Sequence, residues 1–371
     1  MTLFVIAGEL SGDAIAAKVL KPLSKNFTIE GVVGPKLKEI GACELFSIES
    51  FQVMGIVDIL KSLPHFLILF QEIKRAILKA NPKLLLLVDN AEFSLLIAKS
   101  LRKSGFKGKI VQLISPSVWA WRKGRIKTLE KNFDLLLSIF PFEKKYFKDS
   151  PLPVYYVGHP LIEELREINS ETNLSFLNNK PLIAIFPGSR KKETELNLPL
   201  HLEAIKNIDS HQVAISVASL KLLPLIKKIL KKHDIKATLV FPENRFELMH
   251  RAEFALSKLG TINLELAYFE VPTITSFPLP KIEQFLLQHI FKVFLPHYSI
   301  SNLLAERRVF PEYIGSFATL DNLKQEAENY ATNSELRAFS ISGCRVVKKL
   351  LESDNFSTKS SEILSNLLVE I

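Results

Sequence analysis

Asp89 is the side chain in this sequence whose position best suits a catalytic base. It ends the apolar run KLLLLVD (83–89), which has the composition of a parallel strand buried on both faces. Open α/β sheets bind their ligands just beyond the carboxyl ends of such strands. Partial burial there is expected to raise the pKa of the carboxyl group, which suits a base that takes a proton from a substrate hydroxyl. Capping of the helix predicted at 91–104 is the structural alternative.

A turn in the second half of the chain has the residues of a phosphate-binding site. In FPGSRKKETEL (186–196) an apolar strand is followed by a Pro-Gly turn at Gly188 and then by a predicted helix start. Ser189 and Arg190 fall at the helix N-terminus, where unpaired backbone N–H groups attract anions. The Arg190 guanidinium adds the planar fork that pairs with phosphate oxygens. A solvated basic turn is the alternative for this segment.

A second strand–turn–helix segment, LSKLGTINLELA (256–267), repeats the arrangement. Gly260 and Thr261 begin a helix after a strand, and Glu265 follows one turn later. The helix start favours an anion, and a carboxylate at that position is able to hold ribose hydroxyls. Each turn alone is weak, but together they predict a nucleoside diphosphate pocket.

The first predicted strand ends in AGELSGD (7–13), a turn that also permits the close approach of a ligand. Gly8 and Gly12 can adopt positive φ without steric cost. Ser11 or Asp13 is placed to cap the following helix, whose N–H groups favour anions or hydroxyls. The G-x-G-x-x-G spacing of dinucleotide sites is absent. The pattern alone is equally that of a well-formed turn.

SPSVWAWR (115–122) holds both tryptophans of the chain, Trp119 and Trp121, two positions apart. Residues two apart point to the same face of an extended segment. Arg122 and Arg125 place cations beside the two flat side chains. The segment is therefore either a plug in the core or a binding surface.

The elements that must position these residues alternate between short apolar strands and helical stretches. The first strand series is LFVIA (3–7), EGVVG (30–34), KLLLLVD (83–89), KIVQLI (109–114), DLLLSIF (134–140) and VYYVG (154–158). The second is LIAIFPG (182–188), QVAISVA (212–218), KATLVFP (236–242), FALSK (254–258) and TITSF (273–277). Two such series predict two doubly wound α/β domains.

The polar stretch REINSETNLSFLNNK lies between the two series and predicts the domain boundary. We expect an N-terminal domain at 1–165, a linker at 166–180 and a C-terminal domain at 181–335. The remaining residues, 336–371, are predicted to be helices that return to an N-terminal domain.

The composition indicates a globular protein with an anionic partner. Of 371 residues, 48 are Lys or Arg and 39 are Asp or Glu, which gives a net charge of +9. This excess suits phosphorylated substrates or an anionic membrane surface. The basic residues are dispersed and no aromatic-interleaved motif appears, which argues against a nucleic-acid partner. Two cysteines without metal-ligand spacing indicate reduced thiols in the cytoplasm.

No membrane span or signal peptide is expected from the apolar runs. They are shorter than a bilayer requires. The N-terminal run leads directly into a Gly/Asp turn, without a positive segment before it or a cleavage site after it, so it is predicted to be a first strand.

The sequence resembles the lipid-A-disaccharide synthase family of glycosyltransferases, on motifs that occur in that family's order and spacing. They are AGELSGD (7–13), GVVGPKL (31–37), VMGIVDILK (53–61), SPSVWAWR (115–122), FPFE (140–143), VGHPL (157–161), PGSR (187–190) and NLLA (302–305). They cover most of the chain, and SPSVWAWR is the most specific of them.

The resemblance implies a GT-B fold, with two Rossmann-like domains facing across a cleft and C-terminal helices packing back. It implies an inverting transferase that joins UDP-2,3-diacylglucosamine to 2,3-diacylglucosamine 1-phosphate. The product is the β-1,6-linked disaccharide 1-phosphate of lipid A biosynthesis in Gram-negative bacteria, and UDP is released without a metal ion or another cofactor. The resemblance also implies a homodimer.

The resemblance further assigns a role to each candidate residue. Asp89 is the expected base on the face of the sugar opposite the leaving UDP. The expected donor-binding residues are Gly188, Ser189, Arg190, Gly260, Thr261, Glu265, Asn302 and Arg307. The expected acceptor-binding residues are Gly8, Glu9, Ser11, Gly12, Asp13, Trp119, Trp121, Arg122 and Arg125.

Acylated substrates imply a cytoplasmic protein that is peripherally associated with the inner face of the inner membrane. The segment 51–75 is unusually apolar for a surface element and carries lysines at its edge. We expect it to dock on the membrane. The expected contacts are Met54, Ile56, Leu60, Phe66 and Leu67. A buried core helix is the alternative.

The chain departs from the family's pattern at four places that bear on turnover. Asn90-Ala91-Glu92 stands where Ala-Pro-Asp is usual, and Leu259, Ser301 and Glu306 replace a serine, a proline and a glycine. Two alternatives stay open. One is another GT-B enzyme of UDP-sugars, and the other is a non-catalytic lipid- or nucleotide-binding relative.

Overall fold

Apolar strands and the helices between them build two separate parallel sheets. The computed structural model describes residues 2–52, 59–119, 124–168, 180–280, 295–352 and 354–369. Met1–Glu163 and Leu351–Ile371 form the first compact unit, and Glu164–Leu350 form the second.

The first sheet has seven strands in the order β3-β2-β1-β4-β5-β6-β7. They are β1 (Thr2–Ala7), β2 (Thr28–Val33), β3 (Cys43–Ser47), β4 (Leu84–Val88), β5 (Lys109–Leu113), β6 (Leu135–Ser138) and β7 (Val154–Tyr156). The order reverses between β1 and β4, whose last residues Ala7 and Val88 are paired. The turns that follow these strands therefore begin side by side, at the switch point where doubly wound sheets bind ligands.

Helices connect the strands of the first unit. They are α1 (Leu10–Leu20), α2 (Pro35–Glu39), α3 (Glu49–Gln52), α4 (Ile59–Ala80), α5 (Ala91–Lys103), α6 (Arg125–Asn132) and α7 (Pro160–Arg166). In α4, Leu69, Ile73 and Ile77 are buried in the core. Residues four apart share one face of a helix, so this face holds α4 against the sheet.

The second sheet has six strands in the order β10-β9-β8-β11-β12-β13. They are β8 (Leu182–Phe186), β9 (Gln212–Ser216), β10 (Thr238–Val240), β11 (Phe254–Lys258), β12 (Thr273–Phe277) and β13 (Glu312–Ile314). The order reverses between β8 and β11, where Phe186 pairs with Ser257. The turns after these two strands are therefore neighbours.

The helices of the second unit follow the same alternation. They are α8 (Lys191–Ile205), α9 (Leu223–His233), α10 (Arg245–Arg251), α11 (Ile262–Tyr268), α12 (Ile300–Ala305), α13 (Leu320–Thr332) and α14 (Ser334–Leu351). None of the helices described in either unit combines the length and apolar character needed to cross a bilayer.

The last two helices belong to different units. In α14, Ser340 Oγ donates a hydrogen bond to the Val309 carbonyl at 3.0 Å, which ties this helix to the second unit. The final helix α15 (Phe356–Val369) packs against α1. Its Ser357 N–H and hydroxyl donate to the Glu163 carboxylate at 2.7 and 2.9 Å. From the sequence, residues 336–371 are expected to return together to an N-terminal domain, whereas these contacts divide the segment near Leu351.

The predicted fold class is confirmed in its two Rossmann-like α/β domains and its helical C-terminal region. The predicted strands are all present, but β3 and β13 were missed. Both lie at the edge of their sheet. Neither strand contains a buried residue, and CELFS and EYI accordingly lack the continuous apolar run by which the other strands were predicted.

Candidate functional site

The two turns at the switch point of the second sheet enclose a pocket of about 420 Å³. Its walls combine the PGSR turn after β8 with the turn after β11. The structure brings Gly188, Ser189, Arg190, Gly260, Thr261 and Glu265, all singled out from the sequence, to this pocket. The pocket walls also include Glu193, Arg245 and Lys258, which the sequence analysis did not single out.

The PGSR turn is shaped by Gly188, which has φ +118°. A Cβ at this position would lie 2.7 Å from Glu193 Cβ, so no other residue fits without a shift. The Glu193 carboxylate accepts hydrogen bonds from the backbone N–H groups of Ser189 and Arg190 at 3.2 and 3.3 Å. From the sequence, these two N–H groups are expected to be open to an anion. They are instead engaged by a carboxylate of the chain itself.

The turn after β11 is held by Asn263, which is fully buried. Its side-chain oxygen accepts from Gly260 N–H at 2.8 Å, and its amide donates to Ser257 Oγ at 2.7 Å. Ser301, which replaces the proline usual in the resembled family, donates its hydroxyl to the Asn263 carbonyl at 3.0 Å. These bonds keep Gly260 and Thr261 at the pocket edge.

Glu265 presents a buried, underused acceptor to the pocket. It is 9% exposed, and its Oε2 lies 3.2 Å from Arg245 Nε. The contact lacks the alignment of a hydrogen bond, and among the residues described nothing donates to Oε2. Desolvation by burial raises the pKa of Glu265, and the attraction to Arg245 offsets this only in part. A ligand hydroxyl is a natural donor for such an oxygen.

Asn302 and Arg307 lie away from the pocket walls. Asn302 is fully buried. Its side-chain oxygen accepts from Val309 and Phe310 N–H at 2.8 and 2.9 Å, and its amide donates to the Phe310 carbonyl at 2.8 Å. The hydrogen-bonding groups of the Asn302 side chain are thus used within the loop, in place of the expected ligand contact.

The Arg307 side chain turns toward α14. Its guanidinium lies 5.3 Å from the centre of the Phe339 ring and donates to Ser342 Oγ at 3.1 Å. These contacts hold the cation on the helix, so the structure does not support the donor contact expected for Arg307.

Asp89 occupies the switch point of the first sheet with an uncommon backbone. It has φ +51°, and Asn90 has φ +35°. The Asp89 N–H donates to the Leu113 carbonyl at 3.0 Å, and its carbonyl accepts from Ser94 Oγ at 3.1 Å. Although the side chain is exposed, desolvation by the surrounding protein raises the pKa of the carboxyl group above its ordinary value, against the hydrogen bond from Asn90.

Gln112 fastens this backbone from within the sheet. It is fully buried, and its Nε2 donates to the carbonyls of Asp89 at 3.0 Å and Ile114 at 3.1 Å. Ile114 has φ +73°, which is strained for a β-branched residue. Such strain persists only where neighbours hold it, and it concentrates at functional sites. A polar residue inside the apolar run KIVQLI is the sequence signal for this role.

The AGELSGD turn lies beside Asn90, the residue that follows Asp89. Glu9 and Ser11 are exposed, and Gly8 approaches Asn90, since a Cβ there would lie 3.4 Å from its Nδ2. Gly12 is buried in α1, where a Cβ would lie 3.6 Å from the Val88 side chain.

The Asp13 carboxylate is hydrogen-bonded to the backbone at the start of α2. It is fully buried. It accepts from the backbone N–H groups of Gly34, Lys36 and Leu37 at 2.8, 2.7 and 3.3 Å. The acceptor contact expected for Asp13 is therefore replaced by a structural one.

Of the SPSVWAWR residues, Trp121 and Arg122 lie outside the described part of the chain. Trp119 is half-buried and packs edge-on against Phe142, with ring centroids 5.6 Å apart. This favours the core alternative for Trp119. Arg125 begins α6, and its guanidinium pairs with the Glu92 carboxylate at the start of α5.

Glu143, in the FPFE motif, is a buried carboxyl group near Trp119. It is 2% exposed, and it accepts from Phe140 N–H at 3.3 Å. Burial raises the pKa of Glu143 to about 8, although hydrogen bonding acts to lower it. His159 packs on the Phe140 ring, and burial lowers the pKa of this histidine to about 4.

Replacing Glu143 with glutamine should make the fold less sensitive to alkaline pH. The carboxyl group titrates near 4.5 when unfolded and at about 8 when folded. Its stabilising contribution is therefore complete below about pH 4.5 and is lost as the pH rises toward 8. The melting temperature of the variant minus that of the wild type should therefore be larger at about pH 8.5 than at about pH 5.5. An equal difference at both pH values contradicts this assignment.

The expected membrane contacts are described only in part. Met54 and Ile56, like the side chain of Leu60, lie outside the described residues. Phe66 is half-buried, with its ring centroid 6.1 Å from that of Phe93. Leu67 is 52% exposed.

Comparison with known proteins places these features in a family. The family model for lipid-A-disaccharide synthetase matches residues 3–365. A lipid-A-disaccharide synthase of Chlamydia pneumoniae is 38% identical over 84% of this chain and 53% of its own length. One of Wigglesworthia glossinidia brevipalpis is 32% identical over 87% of this chain and 86% of its own length. The chain thus spans about half the length of the curated Chlamydia relatives that it matches.

Solved structures show the same fold at low sequence identity. The calicheamicin glycosyltransferase CalG4 superimposes with a TM-score of 0.58 at 13% identity, over 100% of this chain and 98% of that one. At this identity the likeness concerns the fold alone.

Proposed function

The chain belongs to the lipid-A-disaccharide synthetase family, and from this premise we propose that it is a hexosyltransferase of lipid A biosynthesis. Its donor is UDP-2,3-diacylglucosamine and its acceptor is 2,3-diacylglucosamine 1-phosphate. The products are the β-1,6-linked disaccharide 1-phosphate and UDP.

The observation that carries the proposal is the pocket at the switch point of the second sheet. Six residues predicted for the donor line this one pocket, which has a volume of about 420 Å³. Glu265 Oε2 lacks a hydrogen-bond donor among the described residues and suits a ribose hydroxyl. The Arg190 side chain is 83% exposed, its guanidinium lies 3.4 Å from Glu193 Oε1, and it can reach a diphosphate. We assign the UDP of the donor to this pocket.

Asp89 is the base in this proposal. Its ionised carboxylate takes the proton from the acceptor's 6-hydroxyl as that oxygen attacks the anomeric carbon. The bond between this carbon and the diphosphate oxygen breaks on the opposite face, which inverts the configuration. Cations at the pocket, Arg190 among them, stabilise the charge that develops on the departing UDP. The raised pKa of Asp89 makes it a stronger base than an ordinary aspartate.

The test is to incubate the protein with both acylated substrates and to follow the products by mass spectrometry. The proposal expects equal amounts of disaccharide 1-phosphate and UDP. Turnover of a water-soluble UDP-sugar in place of the acylated donor would support a different UDP-sugar enzyme. Tight UDP binding without product, at several acyl lengths, would support a binding protein that has lost turnover.

We further propose that α4 holds the protein at the inner face of the inner membrane, where both substrates reside, and that the protein is a homodimer. Leu67 and Ile68 are 52% and 58% exposed on α4, whereas the adjacent Leu69 is buried in the core. Two exposed apolar side chains in sequence suit shallow insertion at an interface. The mass in solution, measured by light scattering, tests the dimer.

Replacing both Leu67 and Ile68 by serine should lower binding to anionic liposomes by roughly 10-fold. The double variant loses the apolar surface that the two side chains bury in the membrane interface. Flotation with liposomes measures this. Leu220→Ser is the matched control, since Leu220 is 67% exposed in the second unit. Undiminished flotation of the double variant contradicts the docking surface.

A further inference from the structure

The Glu193 carboxylate accepts hydrogen bonds from backbone N–H groups at the start of α8. Its Oε2 accepts from the backbone N–H groups of Ser189 and Arg190 at 3.2 and 3.3 Å, at the start of the fifteen-residue helix α8. These are the donors that a helix start offers to a phosphate. Both bonds lie at the long end of the hydrogen-bond range. The hydrogen bonds that hold the Glu193 carboxylate at the helix start are therefore weak.

Lys258 faces the same carboxylate from the end of β11. Its Nζ lies 3.1 Å from Glu193 Oε1, and its side chain is 18% exposed. The ammonium also lies 5.2 Å from the centre of the Phe277 ring. A Cβ on Gly260 would be 3.4 Å from Nζ, which places the cation directly at the second turn of the pocket. The Lys258 ammonium therefore lies at the pocket, where its charge is balanced by the Glu193 carboxylate.

The Glu193 carboxyl group is ionised at neutral pH. Desolvation is the largest effect on Glu193 and acts to raise its pKa, but Lys258 and the two backbone N–H groups together bring the pKa below its ordinary value. An ionised carboxylate and a diphosphate cannot share the same two N–H donors, because like charges at contact distance repel strongly. Binding of a diphosphate at this helix start therefore requires the carboxylate to leave.

We propose that Glu193 and Lys258 form a ligand-displaced ion pair that selects for the diphosphate of the donor. The diphosphate takes the Ser189 and Arg190 N–H groups and the Lys258 ammonium, while the Glu193 side chain moves aside. This inference rests on the proposed function in taking a nucleoside diphosphate as the ligand. Since Glu193 can return to its partners, it also competes with UDP and speeds release of the product.

Binding of UDP and of uridine, each measured by titration calorimetry, tests the pair. Lys258→Met should weaken UDP binding by about 10- to 100-fold and leave uridine binding unchanged. Glu193→Gln should tighten UDP binding by about 5- to 10-fold, because the amide can still accept from the two N–H groups but carries no charge. In the Glu193→Gln background, loss of Lys258 should cost more than it costs in the wild type.

Lys191→Met is the matched control, since Lys191 is 77% exposed on α8 and does not line this pocket. It removes the same charge and should change UDP binding less than about twofold. If Glu193→Gln leaves UDP binding equal or weaker, Glu193 is only a helix cap and the inference fails. If both variants change UDP binding as expected but the protein forms no disaccharide, the proposed function fails and the inference about the ion pair stands. Absence of UDP binding in the wild type would overturn both.

Discussion

Replacing Asp89 with asparagine is expected to lower the rate of disaccharide formation by about 10²- to 10⁴-fold and to leave UDP binding unchanged. The amide has the size of the carboxylate but cannot accept the proton of the acceptor hydroxyl. The backbone at residue 89 is held by Gln112, Ser94 and Leu113, none of which bonds to the carboxylate in doing so. Asparagine also tolerates the positive φ found here.

Rates with saturating substrates, measured by mass spectrometry, check this expectation. Glu92→Gln is the matched control, because it neutralises a nearby carboxylate that pairs with Arg125. The pH profile gives a second readout. The base must be ionised, so the rate should fall as the pH drops through a pKa that lies above the ordinary aspartate value. A folded Asp89→Asn protein that retains more than about a tenth of the activity would move the base elsewhere.

Replacing Asp13 with alanine is expected to lower the free energy of unfolding of the first unit by about 3–5 kcal/mol. The fully buried carboxylate accepts three backbone N–H groups, two of them at 2.8 and 2.7 Å. Without it, all three donors lose their acceptor at the start of α2, and those of Gly34 and Leu37 are buried. Gly34 is part of the same arrangement, because a Cβ there would lie 2.6 Å from the Asp13 carboxyl carbon.

Urea unfolding monitored on the first unit measures the loss. Asp13→Asn keeps one acceptor oxygen and should lose roughly half as much. Glu9→Ala is the surface control on the same turn, with an expected change below about 0.5 kcal/mol. A loss below about 1 kcal/mol for Asp13→Ala would show that the three N–H groups find other partners.

The sequence predicted the strand ends well and the partners of their polar side chains poorly. The apolar runs KLLLLVD and LIAIFPG predict buried strands. The strand order of each sheet then places the turns that follow neighbouring strands side by side. This is why six of the eight predicted donor residues meet in one pocket. Asp13 has its partners 21 to 24 residues away, and no local pattern shows that three N–H groups arrive there.

Other residues of the two candidate sites were visible in the sequence as polar exceptions. Gln112 interrupts an apolar strand, and Lys258 ends one. Each marks a point where burial needs a specific partner, since an unpaired polar group is costly inside a protein. Which partner it finds depends on the neighbouring strand. Asp89 and Glu193, the two partners, come from other segments of the chain.

The position of α15 has a consequence for biosynthesis. This helix completes the first unit, yet it is translated only after the whole second unit. At about 5–20 residues per second, the intervening roughly 190 residues occupy the ribosome for about 10–40 s. During that time the surface that buries Phe356 and Leu364 has no cover, and Glu163 lacks its serine donor. The second unit can therefore acquire all its native contacts before the first unit does.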